Sequence, residues 1–235
     1  MPCQNLKNRR NNYAYPAVAL QGEYNNPEPV HFDSTTAMDE YIHGLLMSEN
    51  PQQKVLGYLS VVFWGFYSGQ DGVIRQERAL GKVALARDGK NRVVRGQNQR
   101  MRGVVDLGEQ CVAERISSAA VQIEHNNFSE ALRTLNDIPQ LQIAFSSKVC
   151  AFIDPSKCGV IDSVIAENHP HFGFTTDANG IILNRSANRL LYNQYCAHLQ
   201  QEAEHANNMN PVCLWQDRDG IEYSWRALDI ERSLY

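Results

Sequence analysis

The sequence predicts a mostly α-helical protein. From Ser34 onward, apolar residues recur with helical spacing in one segment after another, and the alternation typical of β-strands is nearly absent. The chain of 235 residues is long enough to bury a sizeable core in one large domain or two small ones. We therefore expect helices packed around a shared apolar interior.

The N-terminal residues do not follow this pattern. Residues 1–33 are rich in Asn and Pro and show no sustained apolar period. Such a composition is typical of turns and irregular chain. We expect an irregular N-terminal arm over residues 1–33.

Three helices are predicted next. Ser34 can cap a first helix that runs through Met47, and Pro51 suits the first turn of the second helix. The second helix, about 52–67, is apolar almost all round, which indicates a central position. Glycines near residue 70 break the pattern, and a third helix is predicted over 74–86.

A basic segment follows the third helix. No acidic residue lies between Lys90 and Arg102, and Asn, Gln and Gly separate the basic positions. We expect residues 88–103 to form a polar, basic loop. Its cations are Lys90, Arg92, Arg95, Arg100 and Arg102.

Helical spacing resumes after this loop. The predicted helices cover about 106–125, 129–136, 141–152, a short stretch after residue 162, 186–207 and 226–234. The turn over residues 215–220 could join two short strands, which would form a β-hairpin near the end of the chain.

Residues 131–162 carry the strongest chemical pattern. A helix, a tight connection and a second helix precede a loop, and Asp162 stands at the start of a further helix. Lys148 borders the apolar stripe of the second helix, where partial desolvation would lower its pKa and favour the nucleophilic amine. The structural alternatives are a lysine that extends its amine to solvent and an aspartate that only caps a helix.

This segment resembles the helix-hairpin-helix superfamily of base-excision DNA glycosylases, and within it the bacterial proteins with the 8-oxoguanine DNA glycosylase fold. The resemblance covers roughly residues 50–235. The matching residues are Ile138 and Pro139 at the turn, Phe145 to Lys148, Asp154 and Pro155, and Val160 to Ser163.

The resemblance implies a single domain over 34–235 with two lobes, about 34–126 and 127–235, and the hairpin between them. It also implies that Lys148 attacks the sugar C1′ and that Asp162 supports departure of a damaged base. The expected activity is removal of a damaged or modified purine, 8-oxoguanine by resemblance, with AP lyase activity through a lysine Schiff base. Flipped bases are sandwiched by aromatic side chains, and the candidates are Trp64, Phe145 and Trp225.

The sequence departs from the superfamily at two places. Gln140 and Gln142 stand where the turn usually carries glycines, which let backbone amides approach a DNA phosphate. The usual lysine position falls on Ala144, one helical turn before Lys148. Residues four apart share a helix face about 6 Å apart along the axis, so a displaced lysine can reach the same point.

Partners and cofactors follow from charge and cysteine spacing. The net charge of −4 hides positive charge concentrated in residues 90–102 and at Lys7, Arg9 and Arg10, which we expect to contact double-stranded DNA together with Gln140 and Gln142. The six cysteines lack the short spacings of metal sites, so we expect no metal site and free thiols in a reducing cytoplasm. For a glycosylase of this kind we also expect a monomer without a cofactor. No segment approaches the ~20 apolar residues of a membrane span.

Two other functions remain open. The glutamines in the turn favour a non-catalytic DNA- or partner-binding module on the same fold. A glycosylase that removes modified bases from foreign DNA in defence is the other alternative.

Overall fold

The computed structural model describes residues 3–67, 72–94 and 96–235. It is mostly helical, with small two-stranded antiparallel sheets, which confirms the predicted fold class. One connected apolar cluster includes side chains from both halves of the chain, among them Leu6, Phe63, Phe152 and Ile230. The division into two lobes stays a prediction. Within the described ranges, no helix is long and apolar enough to cross a membrane.

The expectation of an irregular arm over residues 1–33 was wrong for the described residues 3–33. Helix α1 (Cys3–Asn11) is followed by β1 (Val18–Glu23) and β2 (Asn26–His31), an antiparallel pair in register from Val18 and His31 to Glu23 and Asn26. The first half of β1 is buried on both faces, and Leu20 donates its N–H to Ser60 Oγ at 3.2 Å. A strand buried on both faces has no alternating pattern, which is why its sequence does not read as a strand.

A disulfide joins α1 to the C-terminal part of the chain, with Cys3 bonded to Cys213. The expectation of free thiols throughout was therefore wrong for these two residues. Their sequence separation of 210 gives no local signal of pairing. Disulfides are rare in cytosolic proteins, so this bond is evidence against the predicted cytoplasmic location.

Helices α2 (Thr35–Met47), α3 (Pro51–Phe66) and α4 (Gly72–Asp88) follow closely the predicted order and bounds. Ser34 caps α2 by accepting the Ala37 N–H at 3.1 Å, and Asn50 caps α3 by accepting the Gln52 N–H at 2.9 Å. Residues Lys54 to Trp64 of α3 are buried, as expected of the central helix.

The basic segment is a β-hairpin and not the loop that we expected. Strands β3 (Lys90–Val94) and β4 (Gln97–Met101) pair antiparallel. Isolated polar strands lack the apolar alternation that identifies a strand in sequence. Gly89 permits the entry to the hairpin because its φ is +67° and a Cβ there would lie 2.5 Å from the Met101 carbonyl oxygen.

The second half of the chain contains the two predicted helices joined by a tight turn. Helices α5 (Val104–Leu107) and α6 (Glu109–Glu124) lead to α7 (Phe128–Leu135), a turn over residues 136–142, and α8 (Ile143–Ile153). The turn is anchored to α3, since the Tyr58 hydroxyl donates to the Pro139 carbonyl at 2.5 Å.

The chain ends in α9 (Ser163–Asn168), a 3₁₀ turn (Pro170–Phe172), α10 (Ser186–Asn207), strands β5 (Trp215–Gln216) and β6 (Glu222–Tyr223), and α11 (Ala227–Arg232). The paired strands β5 and β6 confirm the predicted C-terminal hairpin.

A buried ionic network holds the two ends of the chain together. Asp39 of α2 accepts from Arg232 at 2.6 and 2.8 Å and from Arg226 at 2.7 Å, while Asp229 accepts from Arg226 and from Arg10. Arg10 is only 3% exposed and lies 3.9 Å from the Trp215 ring centroid. The expectation that Arg10 contacts DNA was therefore wrong.

Candidate active site

Lys148 and Asp162 meet because Ser147 fastens the chain before Asp162 to helix α8. The Ser147 hydroxyl accepts the Ile161 N–H at 3.0 Å and donates to the Ala144 carbonyl at 2.8 Å. The Lys148 Nζ lies 3.4 Å from Asp162 Oδ2. The serine beside the lysine thus has a structural role in setting the distance between the two candidate catalytic groups.

Lys148 is buried against aromatic rings. Its side chain is 8% exposed, and Nζ lies 5.7 Å from the Trp64 ring centroid and 5.8 Å from that of Phe145. Both distances fall within the range of cation–π contact. An amine held in this way has a fixed position and faces a carboxylate on one side and aromatic surface on the other.

Asp162 caps α9 with one carboxylate oxygen and faces Lys148 with the other. Its Oδ1 accepts the N–H groups of Val164 and Ile165 at 3.0 and 3.3 Å, whereas Oδ2 accepts from Lys148 and from the Tyr235 hydroxyl. Burial alone would raise the pKa of this carboxyl, but the charge of Lys148 and the hydrogen bonds lower it below the usual value. Asp162 is thus an anion over the physiological range.

Tyr235 is a site residue that the sequence did not identify. Its hydroxyl donates to Asp162 Oδ2, and its ring meets the Tyr13 ring edge-on with centroids 5.7 Å apart. Burial first, and then the nearby carboxylates of Glu231 and Asp162, raise the pKa of Tyr235 above its usual value, so its hydroxyl keeps its proton.

Removal of the Tyr235 hydroxyl tests its effect on Asp162. We expect Tyr235→Phe to keep the ring contact, to raise the pKa of Asp162, and to lower turnover about tenfold, the scale of one hydrogen bond to a charged group. The acid limb of the pH–rate profile should move to higher pH. Tyr223→Phe is the matched control, because the Tyr223 hydroxyl donates to Asp219 Oδ2 at 2.9 Å elsewhere. Equal profiles for both variants would contradict this role.

The predicted base pocket is only partly assembled around Lys148. Trp64 and Phe145 lie beside its amine. Trp225 instead packs in the C-terminal region, where its ring centroid lies 6.2 Å from that of Trp215 and its backbone N–H donates to Asn207 Oδ1 at 2.8 Å. Its role in base binding stays a prediction.

Other aromatic residues near the site come from segments that gave no signal in the sequence. Tyr15 donates to the carbonyl groups of Trp64 and Gly65 at 3.3 Å, and its ring centroid lies 4.9 Å from that of Trp64. Phe66 stacks on Phe145 with centroids 4.5 Å apart. The N-terminal segment therefore supplies part of the aromatic wall.

Gly65 leaves the space that Lys148 and Phe145 occupy. A Cβ at Gly65 would lie 2.5 Å from Phe145 Cε1 and 3.2 Å from Lys148 Cδ. Alanine favours helices by about 1 kcal/mol over glycine, so any loss on substitution must come from this contact.

We expect Gly65→Ala to lower the free energy of unfolding by about 1–3 kcal/mol through overpacking and to displace Lys148. Gly81→Ala in α4 is the control, since a Cβ there meets no atom within 4 Å, and we expect it to be neutral or stabilising. Urea unfolding and turnover of the two variants provide the comparison. Equal stabilities would show that the packing around Lys148 is loose.

Glu231 is a buried acid close to the candidate pair. It is 1% exposed, and its Oε1 has no hydrogen-bond partner within the described structure. Burial first, and then the charge of Asp162, raise its pKa to about 8 despite the opposing charges of Arg232 and Lys148. The carboxyl is therefore mostly protonated at pH 7.

This acid makes stability depend on pH. The folded protein retains the Glu231 proton up to about pH 8, whereas the unfolded chain loses it near the ordinary pKa of 4.5. The free energy of unfolding should then fall as pH rises from about 4.5 to 8, by up to about 1.4 kcal/mol per pH unit. We expect Glu231→Gln to remove this slope in urea titrations at several pH values. An unchanged slope would refute the assignment.

The hairpin turn has the backbone form that glycine favours, but it carries glutamine. Gln140 has φ of +63°, in the left-handed region, while Gln142 precedes α8 with φ of −83°. Gln140 is half-buried and Gln142 is exposed.

The basic residues are distributed unevenly. Lys90, Arg92 and Arg102 are exposed, but Arg100 donates to Asp106 at 3.0 and 3.1 Å and to the Asp88 carbonyl at 2.6 Å. Arg95, also predicted to contact DNA, lies outside the described residues.

Over residues 3–67, 72–94 and 96–235, no group of three or more His, Cys, Asp or Glu side chains could hold a metal ion.

Comparisons of the chain with protein-family models, with curated proteins and with solved structures gave no significant match.

Proposed function

We propose that the protein is a base-excision DNA glycosylase with associated AP lyase activity. The observation that carries the proposal is a buried lysine on the second helix of a helix-hairpin-helix element, 3.4 Å from an ionised aspartate. The substrate is a damaged or modified purine in double-stranded DNA, with 8-oxoguanine suggested by the sequence resemblance. As parts of the same proposal, the enzyme acts as a monomer without a cofactor in the cytoplasm, where a disulfide such as Cys3–Cys213 is rare.

The reaction begins with nucleophilic attack. The Lys148 ammonium loses a proton to water, and the free amine bonds to the sugar C1′ while Asp162 stays ionised beside it. The bond between C1′ and the base nitrogen breaks, and the base leaves with the bonding electrons and takes a proton. The Asp162 carboxylate stabilises the positive charge that develops on the sugar.

Strand cleavage follows from the covalent intermediate. Opening of the sugar ring gives an imine between Lys148 and C1′, which makes the C2′ proton acidic. Loss of that proton allows the C3′–O bond to break, so the 3′ phosphate leaves. Water then hydrolyses the imine and returns the free amine, whereas an activated water in place of Lys148 would only release the base.

Borohydride trapping tests the proposal. Duplexes that carry 8-oxoguanine or other modified purines, opposite each of the four bases, are incubated with the full chain and sodium borohydride. We expect a covalent protein–DNA adduct with at least one modified duplex and none with the undamaged duplex. Absence of both adduct and base release across the panel would overturn the proposal.

A second candidate is a non-catalytic DNA- or partner-binding module. Gln140 favours it, because a side chain stands at the left-handed position of the turn where superfamily members have glycine. This candidate predicts salt-sensitive DNA binding without base release from any modified duplex. A glycosylase that acts in defence would instead release modified bases of foreign DNA in the same panel.

A further inference from the structure

The β3–β4 hairpin stands apart from the rest of the fold. Its described side chains from Lys90 to Arg100 are exposed, and its two strands form a sheet of their own. A lone two-stranded hairpin is marginally stable in water without further packing. The exposed amide and basic side chains therefore add little to the stability of the fold, and a binding role would explain their presence.

The base of the hairpin is fixed to the body of the protein. Arg100 donates to both carboxylate oxygens of Asp106 and to the Asp88 carbonyl, and Asp106 also accepts the Gly103 N–H at 2.8 Å. The hairpin is thus anchored where it leaves α4 and enters α5.

The register separates the hairpin side chains into two faces. Arg92 pairs with Gln99, and Val94 pairs with Gln97, so Lys90, Arg92, Gln97 and Gln99 lie on one face. Arg100 pairs with Asn91 and belongs to the opposite face. Because Arg100 binds Asp106 of α5, the face with Lys90 and Arg92 points away from that helix.

This outward face, defined by Lys90, Arg92, Gln97 and Gln99, has the charge of a polyanion-binding surface. Among the residues that the structure describes, no carboxylate forms an ion pair with Lys90 or Arg92. Residues 91–101 contain no acid at all. Two cations with no acidic neighbour in the hairpin favour a phosphate backbone as the partner.

The shape of the outward face selects the kind of nucleic acid. The major groove of B-form DNA is about 12 Å wide and admits a two-stranded β-ribbon, and glutamine can form paired hydrogen bonds with adenine there. The major groove of duplex RNA is deep and too narrow for side chains to read.

We propose that the β3–β4 hairpin lies in the major groove of duplex DNA, with Lys90 and Arg92 on phosphates and Gln97 and Gln99 towards base edges. The choice of duplex DNA as the partner rests on the proposed function, but the hairpin contact does not depend on catalysis. It assigns to the hairpin a contact separate from the helix-hairpin-helix turn.

The salt dependence of binding to undamaged duplex DNA tests the phosphate contacts. The slope of log affinity against log salt should become shallower by about 0.9 for Lys90→Gln or Arg92→Gln and by about 1.8 for the double variant. Lys157→Gln is the control with the same charge change, because its amine donates to the Glu124 carbonyl at 2.9 Å on another surface. An unchanged slope in the double variant would overturn the proposal.

Two further readouts test the groove and the type of duplex. Guanine N7 faces the major groove, so the wild-type protein should protect N7 from methylation, and Gln97→Ala/Gln99→Ala should weaken that protection at equal occupancy. Fully reactive N7 atoms, or equal binding to duplex RNA, would overturn the groove assignment. If borohydride trapping fails but the Lys90 and Arg92 variants show the expected change in salt slope, only the glycosylase proposal is refuted. If the protein does not bind duplex DNA at all, both proposals are refuted.

Discussion

Replacement of Lys148 with glutamine is expected to abolish strand cleavage and to lower base release by about 10³-fold or more, because the covalent route is lost. Glutamine keeps a hydrogen-bond donor near Asp162 Oδ2, which now accepts the lysine amine at 3.4 Å. The variant should therefore fold and bind duplex DNA. Single-turnover cleavage of a modified duplex, together with urea unfolding, measures both properties.

Lys157→Gln is the control for this substitution. Lys157 lies on the loop between Lys148 and Asp162, but its amine donates to backbone carbonyls at the end of α6. We expect the control to retain full turnover. Strand cleavage by Lys148→Gln at the wild-type rate would show that the nucleophile is another group.

Asp162→Asn is expected to lower turnover by about 10²–10³-fold, the usual loss when one charge-stabilising group is removed. Asparagine is as good an N-cap as aspartate, so the hydrogen bonds from Val164 and Ile165 to Oδ1 can persist. What disappears is the negative charge that faces Lys148. DNA affinity should change only a few-fold.

Asp154→Asn is the matched control for Asp162→Asn. Asp154 also accepts local hydrogen bonds, from the N–H and hydroxyl of Ser156 at 3.0 and 2.5 Å, but these bonds are exposed to solvent. The same chemical change there should leave turnover intact. If Asp162→Asn instead retained turnover and only lowered stability, Asp162 would be a helix cap without a catalytic role.

The helices and the Lys148–Asp162 pair could be predicted because their signals are local. Apolar spacing defines α2, α3 and α8, and caps such as Ser34 and Asn50 set where helices begin. The two candidate catalytic residues are 14 positions apart, and a helix followed by a short loop brings them together. Local order in the chain therefore fixes most of their geometry.

The rest of the site depends on contacts between distant parts of the chain. Tyr235 is 73 positions from Asp162, and Tyr15 is 49 positions from the Trp64 carbonyl that it binds. An exposed tyrosine and an Asn-rich N-terminal segment have no periodicity that would place them at a site. Glu231 is buried with no hydrogen-bond partner for its Oε1 because of how α11 packs. The sequence alone shows only an acid within a helix.

Locating the covalent bond between protein and DNA tests the role of Lys148 as the nucleophile. Wild-type protein is reduced with borohydride on a modified duplex, digested, and analysed by peptide mass spectrometry. We expect the sugar fragment to be attached to Lys148 in the peptide from α8. Attachment to another amine, such as Lys157, or the absence of any adduct with every modified duplex would contradict this role.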